Sequence, residues 1–138
     1  FQENIPEIPD DKPLLFLVEN NYIINSLNLI KNLILMKIDV PIMLISSFTS
    51  KTEIILLDEM HKLQFLYNNF SYKITLLNNK DSNNINRFQF GKTINIINKV
   101  FHELSSHYIF IYGENKFIEE NYNKVIELGG IKNNINKL

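Results

Sequence analysis

Apolar and polar positions along this chain follow two periods in alternation. Leu14 to Val18, LLFLV, is an unbroken apolar run, the pattern of a strand covered on both faces. From Tyr22 the period changes. Ile23, Leu27, Ile30 and Ile34 recur at spacings of four, three and four, which lines one face of a helix reaching to about Ile38. Pro41 opens a second apolar run, PIMLIS, because a missing N–H is tolerated at the first residue of a strand. SSFTSKTE then supplies turn residues, and Ser50 followed three residues later by Glu53 predicts a capping box and a helix over 52–67. After Asn68 and Asn69, SYKITLL reads as a third strand, and NNKDSNNINRFQFGK as a polar loop without periodicity. Ile94, Ile97, Val100, Phe101 and Leu104 form another helical stripe over 93–104. HYIFIY at 107–112 is the fourth strand. A last helix over 116–128 stops at Gly129 and Gly130, residues suited to a left-handed C-cap.

Strand and helix thus alternate four times. That order predicts an α/β, three-layer sandwich with a mainly parallel sheet of four or five strands. In such sheets ligands sit beyond the carboxyl ends of the strands. Chemistry is therefore expected in segments 19–22, 46–49, 78–87 and 112–116. Pro6, Pro9 and Pro13 make residues 1–13 an extended linker, which leaves 14–138 as the domain.

Composition narrows the functional classes. Fourteen basic against 15 acidic residues give a net charge of −1, with no electrostatic footprint for nucleic acid. There is no cysteine, so thiol nucleophiles and iron–sulfur ligation within this chain are excluded, and any redox role depends on a cofactor. The longest apolar stretches are interrupted by Asn and Lys, too short for a membrane span. The opening FQENIPEIPDDKP is acidic and proline-rich, unlike a secretory signal, so the expected compartment is the cytoplasm. The excess of Asn and Ile is spread along the whole chain, as a coding bias would spread it.

Four pieces, in one order, carry a resemblance. They are KPLLFLVENNYIINSL, LISSFTSKTEIILLDEM, Gly91-Lys92-Thr93-Ile94, and IFIYGENKF followed by Val125 to Gly130. Together they resemble the NAD(P)H-binding domain of ferredoxin–NADP reductase-like flavoenzymes, the group that includes flavin reductases and oxygenase reductases, over most of residues 12–135. The resemblance implies an NAD(P)H site formed by Asn20, Asn21, Tyr22, Ser47, Thr49, Tyr112, Gly113 and Glu114. It implies a nicotinamide near Tyr112 and Gly113 that passes hydride to FAD or FMN on an upstream domain of the same polypeptide. The electrons would then go to an acceptor protein or to free flavin.

The residues at those positions depart from the family's pattern. Glu19, Asn20, Asn21 and Tyr22 fall on its Gly-Gly-Thr-Gly turn, where close approach to the dinucleotide favours glycine. Asparagine can still enter a left-handed conformation. A carboxylate at Glu19 is a different matter, since two unit charges about 4 Å apart repel by about 1 kcal/mol even in water. Ser47 and Thr49 replace a glycine and an arginine, so the guanidinium that would hold an adenosine phosphate is missing. Gly113 keeps the family residue, while Tyr112 and Glu114 stand for Cys and Pro. Two readings stay open: a pyridine-nucleotide domain, and a degenerate non-catalytic domain of the same fold serving as an interaction or structural module.

Other candidates reduce to structure. His61, His102 and His107 share no ligand spacing on one helix face, so no metal site is expected. Ser46 and Ser47 lack a nucleophile elbow. Asp58 and Glu59 beside Lys62 form a solvated helix face, and Glu114, Glu119 and Glu120 suit a helix N-terminus. The aromatic residues between Phe65 and Phe90 lack the basic interleaving of a base-stacking platform.

Overall fold

A computed structural model of the chain describes residues 8–78 and 88–138. Six strands, β1 (Leu14–Glu19), β2 (Ile42–Phe48), β3 (Phe70–Leu76), β4 (Gln89–Phe90), β5 (Tyr108–Tyr112) and β6 (Ile135–Lys137), form one sheet in the order β4-β3-β2-β1-β5-β6. Every pairing is parallel. Among the described residues four α-helices connect them: α1 (Ile23–Leu35), α2 (Leu57–Leu66), α3 (Thr93–Val100) and α4 (Asn115–Glu127). The predicted mainly parallel three-layer architecture is therefore present, with six strands instead of four or five. The two extra strands are edge pieces of two and three residues, too short for a run or alternation to announce them.

Side chains alternate across the sheet, and the two faces bury separate cores. Leu14, Phe16 and Val18 of β1 pack with Ile23, Leu27 and Ile30 of α1 and with Met60 of α2. Leu15 and Leu17 pack on the other face with Ile96 and Ile97 of α3 and Val125 of α4. Burial on both faces explains why β1 and β5 are continuous apolar runs rather than alternating ones. Phe16 and Phe110 stack across β1 and β5 with centroids 4.4 Å apart. Full burial of each ring contributes about 2–3 kcal/mol.

Helix boundaries differ from the periodicity where the backbone turns early. α1 ends at Leu35, before the expected Ile38, because Lys37 adopts a left-handed φ of 62°. The N–H groups of Lys37 and Ile38 then donate to Ile34 and Leu33, a Schellman closure with lysine in the position usually held by glycine. α4 closes in the same way on Gly129, at φ 88°, with Gly130 N donating to the Val125 carbonyl at 2.8 Å. That end matches the sequence expectation.

The capping box does not form. Ser50 Oγ donates to the Glu53 carboxylate at 3.0 Å inside a 3-10 turn over Lys51–Glu53, with no side-chain cap on the backbone. Leu56, at a left-handed φ of 60°, precedes α2, which starts at Leu57. Ile54, Ile55 and Leu56 instead pack against the core, and that packing outweighs their helical register. α3 is also shorter than its stripe, ending at Val100, with Phe101 already extended at φ −119°. Glu59 pairs with Lys31 on α1, a partner its own helix does not supply. The linker expected over 1–13 and the loop segment expected at 78–87 fall mostly outside the described residues.

Candidate functional site

The chain runs β1 to β2 to β3 in one direction across the sheet, then returns to place β5 on the opposite side of β1. β1 and β5 are thus neighbours whose outgoing helices diverge, α1 packing on one face and α4 on the other. This is the switch point at which parallel sheets open a crevice for ligands.

On the β1 side, Asn20–Tyr22 form a 3-10 turn that leads directly into α1. Asn20 has φ 50°, so asparagine takes up the left-handed geometry for which glycine is the usual choice. α1 has no side-chain cap and no acidic residue in its first turn. Its terminal N–H groups lack the side-chain acceptor that helix starts commonly recruit.

On the β5 side one N–H at the start of the helix has a side-chain acceptor. Glu19 alternates with Leu15 and Leu17 and so points to the α3–α4 face. Its Oε1 accepts the backbone N–H of Glu114 at 2.9 Å, where the positive end of the α4 dipole favours a carboxylate. Gly113 makes this approach possible. A Cβ there would lie 2.6 Å from Phe117 Cδ2 and 3.1 Å from Glu19 Cβ. Tyr22 Oη donates to Glu114 Oε1 at 3.0 Å, which ties the two turns together across the crevice. The hydrogen bond to Glu114 is the main reason the phenol is held above its ordinary value of 10.0, with some loss of hydration and the charges of Glu114 and Glu19 adding to it. The Glu19 carboxylate, expected to repel a ligand phosphate, thus sits on an N–H at the start of α4.

Beneath this contact, on the α3–α4 face, lies a pocket of about 170 Å³. Glu19 and Ser47, paired in register at the ends of β1 and β2, supply its floor. Its walls are the first turn of α3 and the first two turns of α4, with Thr93 on one side and Phe117 and Asn121 on the other. Lys92 Nζ pairs with Glu120 Oε2 at 3.1 Å, linking the two helices beside it.

The expected site residues share one rim but not one role. Asn20, Asn21 and Tyr22 form the first turn, and Gly113 and Glu114 form the second. Tyr112 is buried, and its ring stacks in the opposite core with Phe16 and Phe110. Ser47 is buried and lines the pocket, whereas Thr49 is exposed, outside the pocket lining, and uses its carbonyl to accept Asn78 N at 2.9 Å. The site expectation missed Thr93, Lys116 and Asn121. Thr93 was legible as the third residue of the Gly91-Lys92-Thr93-Ile94 segment. Asn121, mid-helix in an asparagine-rich chain, carried no signal. No helix among the described residues is long and apolar enough to cross a membrane.

No protein-family model and no curated protein matches the sequence. Solved structures do match. A flavohemoglobin from Malassezia yamatoensis, with bound FAD and heme, superposes at a TM-score of 0.80 with 20% identity over 96% of this chain and 32% of its own. The FAD/NAD-binding domain of nitric oxide dioxygenase from Vibrio cholerae superposes at 0.84, with 9% identity over 99% of this chain and 54% of its own. A ferredoxin NADP+ reductase from Neisseria gonorrhoeae, with bound FAD and NADP, superposes at 0.75, with 16% identity over 94% of this chain and 56% of its own. The chain thus spans about a third to just over half of these proteins, and at such identities the likeness concerns architecture. This chain has the α/β fold of the NAD(P)-binding domains of ferredoxin–NADP reductase-like flavoenzymes.

Proposed function

We propose that this chain is the pyridine-nucleotide domain of a flavin-dependent NAD(P)H reductase, acting with a flavin domain of the same polypeptide. The observation that carries the reading is the turn after β1. Asn20 is left-handed at φ 50°, and α1 starts at the switch point without a cap or an acidic residue in its first turn. Such a helix start fits a pyrophosphate, held by backbone N–H groups and the helix dipole. The fold shared with proteins that carry FAD and NAD(P) supports it.

In this reading Asn20, Asn21 and Tyr22 hold the phosphates, and the nicotinamide lies near Tyr112 and Gly113 at the β5 tip. Bound nicotinamide supplies the hydride, and the chain's own task is binding and orientation. Tyr22 and Glu114 must part for the ring to enter, because their hydrogen bond spans the crevice. Calorimetric titration of the chain with NADH and with NADPH tests the proposal, with saturation expected at sub-millimolar concentration. Absence of binding at several millimolar overturns it.

A second reading rests on one specific contact. With Glu19 on the α4 N-terminus and Tyr22 on Glu114, the rim is satisfied internally, as suits a non-catalytic module that keeps the scaffold. The same titration separates the two readings.

A further inference from the structure

We propose that the exposed apolar ends of α1 and α2 form a dimerisation surface, at which this chain pairs with a second copy of itself about a two-fold axis. The surface lies where β1 and β2 begin, at the end of the sheet opposite the rim. The inference is therefore independent of dinucleotide binding.

Two helix ends build this surface side by side. Lys31 on α1 pairs with Glu59 on α2, and both helices pack on the same face of the sheet. Beyond them the two following turns are tied together, because Asn69 Nδ2 donates to the carbonyls of Ile38 at 3.1 Å and Val40 at 3.0 Å. Leu33 and Leu63 turn into the common core, while the last residues of each helix do not. Leu35 is 73% exposed, Met36 58%, Phe65 82% and Leu66 55%, and Tyr67 beside them is exposed as well. Phe65 continues a helix face that Asp58, His61 and Lys62 occupy in the preceding turns. Folding alone would leave that position polar.

Scattered apolar residues are ordinary on a surface, but these five together present on the order of 600 Å², at the upper end of what a monomer shows. With its polar margin the surface approaches the roughly 800 Å² that each partner buries in a standard interface. Two aromatic rings and a methionine are also the residue types enriched at interface centres.

The charges at the margin select the occupant. Lys37 and Asp39 follow α1, and Asp58 and Lys62 precede Phe65 on α2. All four are exposed, and among the described residues none of them forms an ion pair. Two charges of each sign cancel. An anionic lipid surface would meet the two carboxylates, and a strongly acidic or basic partner would meet like charge along half the margin. A second copy turned about a two-fold axis can set lysine against aspartate, and every such contact occurs twice.

Sedimentation velocity of the chain from micromolar to submillimolar concentration tests the proposal. A monomer–dimer equilibrium is expected. Its dissociation constant should rise about a hundredfold in Phe65→Ser, because the ring is lost from both copies, and about tenfold in Leu35→Ser. Asp39→Lys keeps every apolar side chain but makes the margin positive, and should weaken association about tenfold at low salt. Ile126→Ser, at an exposed apolar position on α4, should leave the dimer unchanged. Circular dichroism checks that each variant folds. A monomer at every concentration overturns the proposal, and co-sedimentation of that monomer with phosphatidylserine vesicles would assign the surface to lipid instead. Dimers that resist both Phe65→Ser and Leu35→Ser, or that weaken equally in Ile126→Ser, overturn it as well. An unchanged dimer in Asp39→Lys would refute the two-fold pairing of the margin.

Discussion

The turns after β1 and β5 leave the same rim from adjacent strands and each starts a 13-residue helix, yet they solve the helix-start problem in opposite ways. The first takes a left-handed asparagine and leaves its N–H groups without a side-chain acceptor. The second uses a glycine to admit Glu19, whose carboxylate accepts the N–H of the α4 N-cap residue. One helix start is left without a side-chain acceptor on one face of the sheet, and an N–H at the start of the other is taken by an internal carboxylate on the opposite face. The same glycine geometry that serves ligands in many nucleotide folds here serves an internal side chain.

Breaking the closed turn should have the largest effect. Gly113→Ala would place Cβ 2.6 Å from Phe117 Cδ2 and 3.0 Å from Glu19 Oε1. Overpacking of that kind is expected to cost about 3 kcal/mol, lowering Tm in a thermal melt by about 4 °C for each kcal/mol. Glu19→Ala comes next. Loss of the carboxylate from α4 should cost about 1.5 kcal/mol in urea unfolding. In the same variant NADH should bind more tightly by calorimetry, since a freed N–H replaces a negative charge; weaker binding would show that Glu19 assists the ligand.

The open turn should respond more gently. Asn20→Ala puts an ordinary residue at φ 50° and should destabilise by about 1 kcal/mol, while Asn20→Gly should be nearly neutral in the same urea assay. The smallest effect is expected for Tyr22→Phe, which removes the bond between the turns. Its signature is in the pH dependence. Because the folded phenol is raised above 10.0, its contribution is fully present below that value and is lost as pH rises through the folded pKa. Stability curves of the wild type and Tyr22→Phe should therefore converge in alkali. Parallel curves would show that the hydrogen bond to Glu114 contributes nothing.

Much of this arrangement was legible beforehand, for identifiable reasons. LLFLV and HYIFIY read as strands covered on both faces, and the Ile23–Leu27–Ile30 stripe as a helix face. Gly129 announced the end of α4 through its own backbone freedom. Lys37 and Leu56 announced nothing, since a left-handed φ at a lysine or leucine comes from the packing around it. The misread Ser50 and Glu53 do meet, but in a 3-10 turn. Local hydrogen-bond chemistry named the pair correctly without deciding which backbone it would stabilise.

Periodicity is a property of neighbouring residues, so the sequence alone determined the α/β class, the order of the main elements and, among the described residues, three segments at the strand tips, 19–22, 46–49 and 112–116. The placement of Glu19 against Glu114, 95 positions apart, depended on β1 and β5 becoming neighbours through a crossover. So did the turning of the Tyr112 ring into the core and the meeting of Ser47, Thr93 and Asn121 around one pocket. Such contacts belong to the sheet order and its pleat phase, and no local pattern encodes which strand will lie beside which.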